Sequence, residues 1–128
     1  MNKIILLALI LIFSFPTLAE YKTIIDSYTK VVGVGDNAIK VKVERAGSET
    51  DYIEKTYREN GILALEAPFK NGKKDGTLKI YYPSGAIAKE VIFVSGEPTE
   101  GYNYDDEGKN KQKMSGGQIQ TEKELGLI

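Results

Sequence analysis

Four carboxylates near the end of the chain are the residues whose types and spacing could support chemistry. They lie close together, at Glu100, Asp105, Asp106 and Glu107. Oxygen ligands suit Ca²⁺, and a carboxylate pair is what glycoside hydrolysis uses. Their spacing follows no calcium-loop pattern, and nothing in the sequence places two of them across a cleft. We therefore interpret them as a solvated acidic turn, and we predict no metal site and no cofactor.

Two residue types that carry much of enzyme chemistry are missing. The chain has no cysteine and no histidine. Disulfides, thiol nucleophiles and Ser-His-Asp systems are excluded by composition, and the commonest general acid–base near neutral pH is absent. We predict a non-catalytic protein with no catalytic residues and no small-molecule substrate.

Glycines recur through the second half of the chain. A phosphate-binding loop would need a strand–loop–helix setting with Lys followed by Ser or Thr, which this sequence lacks. Turns are the better interpretation, because glycine tolerates a positive φ. The predicted turn glycines are Gly61, Gly72, Gly76, Gly85, Gly96 and Gly108.

Tyrosines recur in the same region. They have two interpretations: an exposed aromatic ladder that binds a partner, or packing across strands with the hydroxyls at the sheet rim. Regular recurrence favours packing. As candidates for an interaction surface we name Tyr57, Tyr81, Tyr82, Tyr102 and Tyr104.

Lysines are frequent here as well. Lys70, Lys73, Lys74, Lys79 and Lys89 could form a basic edge toward anionic lipid. Lysine on an edge strand also protects against aggregation, which is the favoured interpretation because acidic residues are interspersed. Without Lys3, which lies in the first 19 residues, the chain has 16 basic residues against 18 acidic ones, a net charge of −2. This balance argues against a nucleic-acid partner.

The first 19 residues have the pattern of a secretory signal. Lys3 precedes an apolar run from Ile4 to Phe13, and Thr17 and Ala19 place small residues before a cut at Glu20. An uncleaved anchor is the alternative, but a transmembrane helix needs about 20 apolar residues and this run is shorter. We predict an exported protein, periplasmic or extracellular, cleaved near Ala19–Glu20.

A repeated pattern occupies residues 51–108. Residues 57–61 and 81–85 share the form Tyr-x-x-x-Gly at an offset of 24, and a truncated third copy begins 23 residues later at Tyr104. Further residues match at the same offset, namely Leu63 with Ile87, Glu66 with Glu90, Phe69 with Phe93 and Gly72 with Gly96. The order of these matches indicates tandem structural units.

Each unit has the local chemistry of a β-hairpin. Apolar residues alternate from Ile62 to Phe69, which predicts a strand with Phe69 and its equivalent Phe93 in the core. Asn-Gly and Asp-Gly turn signals follow this strand. Further strands are predicted over 51–58, 77–82, 86–94 and 102–105, with a turn over 95–98. The fold class is therefore predicted as all-β, an antiparallel meander of repeated hairpins in one small domain.

The flanking segments are less regular. Alternation from Ile39 to Val43, with a partner over 24–32, predicts a hairpin within residues 20–50. It is interpreted as a degenerate repeat or a cap over the sheet's open edge. Residues 109–128 are polar and contain Gly116–Gly117. We interpret them as a flexible tail, with one or two helical turns over 118–125 as the alternative.

Residues 57–61, 69–76 and 81–85 together resemble the bacterial variant of the MORN-type repeat, which is found in YwqK-like antitoxin proteins. The resemblance covers 57 to about 108. It implies stacked hairpins used for protein–protein contact or membrane association. The predicted function is an exported module that binds a protein or the cell envelope. The alternatives are an antitoxin component and a peripheral lipid-binding scaffold.

Overall fold

The computed structural model describes residues 24–33 and 35–128, and shows a single open antiparallel sheet. The strands follow one another across the sheet in chain order. This confirms the predicted all-β meander in one small domain. The predicted signal peptide and its cut site lie outside the described residues. Within those residues, no helix is both long enough and apolar enough to cross a membrane.

A long hairpin forms the first edge of the sheet. Strand β1 (Ile24–Val32) pairs with β2 (Ile39–Gly47), and a 3-10 turn at Gly35–Asn37 lies between them. Strand β2 pairs on its other side with β3 (Asp51–Tyr57). The hairpin therefore covers the outer edge of β3 and extends the sheet, with β1 as its edge strand.

The repeats form the middle of the sheet. Their strands are β4 (Leu63–Lys70), β5 (Lys73–Lys74), β6 (Gly76–Tyr81), β7 (Ile87–Val94) and β8 (Glu97–Asn103). The short β5 pairs with the end of β4, off the main path. Strand β8 begins five residues before the predicted strand at 102. Pro98 is tolerated there because β9 (Gln112–Lys113), the next strand, pairs only with Tyr102 and Asn103.

The hairpin turns repeat with the sequence. The amide of Asn71 donates to the Asp51 carboxylate at 3.2 Å, and the amide of Ser95 donates to the Asp75 carboxylate at 3.1 Å. φ is 51° at Asn71 and 48° at Ser95, and 75° and 90° at the glycines that follow them. Two successive positive φ values are what a type I′ hairpin turn requires. Asn and Gly fit these positions, whereas β-branched residues would be strained.

One side of the sheet, which we call the core face, carries the buried apolar residues. Ala67, Leu78 and Val91 on β4, β6 and β7 are at most 2% exposed. Leu78 lies opposite Val91, and Val91 lies opposite Gly101 on β8. Phe93 is buried beside them, and Phe69 packs against the cluster while only partly buried. Alternation along each strand places these side chains on the same side.

The C-terminal segment closes the core and differs from the flexible tail that was expected. Helix α1 (Gly116–Glu124) begins at Ser115, whose hydroxyl accepts a hydrogen bond from the amide of Gln118 at 3.1 Å. Met114, Ile119 and Ile128 are buried in the same cluster as Val91. The sequence shows no helical periodicity here, because the few apolar residues of this polar stretch each pack separately against the sheet.

Candidate functional site

The face opposite the core carries a row of alternating charges, and we call it the charged face. Lys55, Glu66, Lys79 and Glu90 lie opposite one another on β3, β4, β6 and β7, and Tyr102 continues the row on β8. The Lys55 ammonium lies 4.0 Å from the Glu66 carboxylate. Opposite charges on neighbouring strands attract, so the row stabilises the register of the sheet.

Tyr104 is held within the charged face by its neighbours. Its hydroxyl donates to a carboxylate oxygen of Glu90 at 2.7 Å, and the Lys111 ammonium lies 3.4 Å from the same oxygen. Burial raises the pKa of Tyr104, and the hydrogen bond to Glu90 raises it further. The phenol therefore stays protonated and its donor is already used.

Tyr102 and Tyr81 also lie beside carboxylates of the charged face. The Tyr102 hydroxyl donates to the Glu100 carboxylate, which raises the pKa of Tyr102 and lowers that of Glu100. The Lys111 ammonium lies 4.1 Å from the centre of the Tyr102 ring, within cation–π range. Burial, then the charges of Glu66 and Glu90, raise the pKa of Tyr81. Two of the five candidate tyrosines thus donate to carboxylates on this face, and Tyr81 lies near two more carboxylates.

Tyr82 belongs to a second repeated interaction. Its hydroxyl donates to the backbone carbonyl of Tyr104 at 2.7 Å. One unit earlier, the guanidinium of Arg58 donates to the backbone carbonyl of Tyr81 at 2.8 Å. Both donors directly follow the first tyrosine of their unit, and both acceptors are the first tyrosine of the next. We call these two bonds the unit locks, because each ties one Gly turn to the next.

Tyr57 has a different environment. It lines an open groove of about 560 Å³ with Lys42, Glu44, Arg58 and Glu59. Lys42 and Glu44 form an ion pair in this groove, with their charged atoms 2.5 Å apart. The groove lining therefore carries both signs of charge, with Lys40, Lys42 and Arg58 against Glu44 and Glu59. The five candidate tyrosines do not converge on one site.

The predicted turn glycines all have positive φ. The values are 84° at Gly61, 75° at Gly72, 109° at Gly76, 92° at Gly85, 90° at Gly96 and 76° at Gly108. No helix of the described residues begins next to any of them. They shape the chain and do not form an anion-binding loop.

The acidic turn is organised by Asp105. Its carboxylate accepts the amides of Glu107 at 3.1 Å and Lys109 at 2.8 Å, and the side-chain amide of Asn110 at 2.5 Å. These bonds, led by that from Lys109, lower the pKa of Asp105. Among the described residues no cluster of acidic side chains could hold a metal ion. Asp105 therefore serves as a turn cap.

The lysines named above do not form one basic edge. Lys79 belongs to the charged face, whereas Lys89 lies on the other face and pairs with Glu122 of α1. The Lys74 ammonium lies 5.3 Å from the centre of the Phe93 ring. Lys70 and Lys73 are exposed beside the Asn71 turn. Their distribution over both faces gives no continuous surface for anionic headgroups.

Arg45, which the sequence did not single out, organises the core face near β1. Its guanidinium lies 2.9 Å from the Glu54 carboxylate and 3.7 Å from that of Asp26. It also lies over the rings of Tyr28 and Tyr52, at 5.7 and 5.3 Å. The hydrogen bond that Arg45 donates to Glu54 raises the pKa of Arg45. Glu54 is thus the close ionic partner of Arg45, whereas Asp26 lies at the outer limit of an ion pair.

Strand β1 is the most exposed element of the sheet. All nine of its residues are exposed, and among the described residues it has no partner on its outer side. The described residues include nine exposed large apolar side chains. Six of them lie on β1 or at the start of β2: Ile24, Ile25, Tyr28, Val31, Val32 and Ile39. An apolar strand edge of this length is a template for another strand.

Comparison with known proteins gives no relative for this chain. No family model matches it, and neither a curated protein nor a solved structure does.

Proposed function

We propose that this chain is an exported, non-catalytic module of the MORN-like repeat type, which binds a protein strand at the outer edge of β1. The observation that carries the proposal is the exposed β1 edge with its apolar side chains. Adding a strand satisfies the edge's unpaired backbone groups and covers Val31 and Val32, which are 62% and 44% exposed.

The repeat assignment is supported by the geometry of the units. The type I′ turns, the Gly turns and the unit locks recur at the offsets of the sequence motif. Backbone bonds close equivalent Gly turns from Arg58 to Ile62, from Tyr82 to Ala86 and from Asp105 to Lys109. The units therefore share side-chain and backbone interactions, beyond a common strand pattern.

Support for a binding role over catalysis comes from the occupied polar groups. Asp105 is bound by backbone amides, and Glu90 accepts from Tyr104. A catalytic carboxylate needs to face a substrate, whereas these face neighbouring atoms of the fold. A lipid scaffold has less support, because Lys55 and Lys79 each lie opposite a glutamate.

Site-specific photocrosslinking in producing cells tests binding at the β1 edge. A benzophenone amino acid at Thr29, in the middle of β1, is expected to form an adduct with a protein. The same substitution at Thr99, which is exposed on β8, is the matched control and should form none. No adduct at Thr29, or equal adducts at both positions, contradicts the proposal.

Export is tested separately by fractionating the same cells and measuring the intact mass. A mass beginning at Glu20, in the periplasm or medium, supports an exported and cleaved protein. A full-length mass in the membrane fraction contradicts cleavage and makes residues 1–19 an anchor.

A further inference from the structure

The sequence of β1 is complementary to itself when two copies run antiparallel. With Tyr28 opposite Tyr28 of the second copy, Ser27 lies opposite Thr29 and Asp26 lies opposite Lys30. Ile25 then lies opposite Val31, and Ile24 opposite Val32. Apolar residues meet apolar residues, polar meets polar, and each acid meets a base.

This is the one register of β1 that brings Asp26 opposite Lys30. Shifting it by two residues, which keeps the faces matched, places Lys30 opposite Tyr28 or Ile24 instead. Directly opposed residues have Cβ atoms about 5 Å apart, well within reach of a lysine and an aspartate. Because the pairing is two-fold symmetric, the ion pair between Asp26 and Lys30 forms twice, once on each side of Tyr28.

Both charged groups are available for this pairing. The Asp26 side chain is 48% exposed, and its contact with Arg45 is a distant 3.7 Å. Lys30 is exposed, and no carboxylate of the described residues pairs with it. Asp26, Tyr28 and Lys30 lie opposite Arg45, Val43 and Val41, so all three belong to the core face. Pairing about a two-fold axis perpendicular to the sheet therefore places the core faces of both copies on the same side of the joined sheet.

An irregularity in β1 limits regular pairing at both ends of the seam, because two-fold symmetry places residues 24–25 of each copy opposite Val31 and Val32 of the other. The register with β2 shifts between Ile24 and Asp26, so Ile25 is a bulge residue. Bulges twist the chain and weaken pairing where they occur. The regular seam, from Asp26 to Lys30 of each copy, still contains the whole charged and aromatic centre of the self-pairing.

We propose that the strand bound by β1 is β1 of a second copy of this chain, in the antiparallel register centred on Tyr28. This inference rests on the proposed function, because it names the partner of the same edge. Pairing of strand edges covers less surface than the about 1,600 Å² of a standard interface. A dimer that forms and dissociates with concentration is therefore expected.

Charge reversal with reciprocal rescue tests the register by sedimentation equilibrium on protein purified from producing cells. The unchanged protein is expected to reach twice the monomer mass at high concentration. Lys30→Asp alone places two acids opposite each other, and Asp26→Lys alone places two bases opposite each other, so each variant alone should remain monomeric. Mixing the two variants recreates both ion pairs and should restore the double mass.

Lys40→Asp is the matched control, since Lys40 is exposed on β2 and lies outside the seam. It should associate like the unchanged protein. Thermal unfolding of each variant confirms that monomers are folded. A monomer at every concentration, or single variants that dimerise as well as the unchanged protein, overturns the proposal.

The absence of cysteine allows an independent test of the axis. Tyr28→Cys should form a disulfide-linked dimer under mild oxidation, because the two introduced thiols face each other. Thr29→Cys should not, because Thr29 lies opposite Ser27. Equal crosslinking of the two variants contradicts this register. In the photocrosslinking experiment, an adduct of twice the chain mass supports self-pairing. An adduct with a different protein overturns self-pairing and leaves the proposed function standing, and no adduct removes both.

Discussion

The hydroxyl of Tyr82 reaches the backbone carbonyl of Tyr104, 22 residues further along the chain, at 2.7 Å. Its equivalent one unit earlier, Arg58, makes the same connection to Tyr81 with a different functional group. The position of the donor is therefore repeated although its residue type is not. This unit lock explains why one of the candidate tyrosines is required by the fold.

Tyr82→Phe removes the donor and keeps the ring. We expect the free energy of unfolding to fall by about 1 kcal/mol, because one hydrogen bond is lost and a carbonyl is left unpaired. Urea denaturation followed by circular dichroism measures it. Tyr28→Phe is the control, since the Tyr28 hydroxyl makes no hydrogen bond among the described residues, and it should change stability by less than about 0.5 kcal/mol. Equal effects of the two substitutions would refute the role of the lock.

Ile119→Ala tests whether α1 is part of the core. Ile119 is 7% exposed and packs in the same cluster as Val91. We expect a loss of about 2–5 kcal/mol in the free energy of unfolding, with sheet and helix unfolding together. Leu125→Ala, at 68% exposure just beyond the same helix, should have little effect. If Ile119→Ala leaves stability unchanged, the segment does not close the core in solution.

Gly101 lies directly under the C-terminal segment. A Cβ added there would lie 2.6 Å from the sulfur of Met114, closer than real contacts allow. We expect Gly101→Ala to lower the free energy of unfolding by about 1–3 kcal/mol through overpacking. Gly116→Ala, with nothing within 4 Å, is the control. Adding Met114→Ala to Gly101→Ala should cost less than the sum of the two single changes.

Asp105 should make stability depend on pH. Its pKa is lowered in the folded state, so in the acid range the unfolded chain binds the proton more readily. The stabilisation that the Asp105 carboxylate provides is complete above its pKa in the unfolded chain, about 3.9. It is lost as the pH falls through the lower pKa of the folded state. The stability gap between the unchanged protein and Asp105→Asn should therefore narrow on acidification. Urea titrations across this range measure it.

Asp106→Asn is the matched control for this pH dependence, because the neighbouring Asp106 carboxylate is exposed and accepts no hydrogen bond among the described residues. A gap for Asp105→Asn that stays constant with pH would contradict the lowered pKa.

The parts of the fold that are predictable from the sequence are those set by near neighbours. Alternation from Leu63 to Phe69 and the Asn71–Gly72 turn fix a hairpin within a few residues. The C-terminal segment depends on distant contacts, since Met114 and Ile119 become meaningful only over Gly101. Gly101 itself makes room for this segment, because a side chain there would meet Met114 and Ile119.

The candidate site was less predictable for a similar reason. Periodicity identifies Tyr81 and Tyr104 but cannot say whether their hydroxyls meet solvent or a carboxylate such as Glu90. Nor does the pattern of β1 reveal that no strand pairs with its outer side in the described part of the chain. The complementarity of Asp26 and Lys30 gains meaning only once that edge is known.

The strand order has a consequence for how the chain folds during synthesis. Every strand pairs with its neighbour in the chain, so the earliest strands to appear can pair without waiting for a distant segment. Burial of the core cluster is different, because Met114, Ile119 and Ile128 follow all of the strands in the chain. A chain released before Met114 would hold a paired sheet with Leu78 and Val91 uncovered. Formation of the sheet and burial of its core are therefore separable steps, and the second depends on the segment that follows β9.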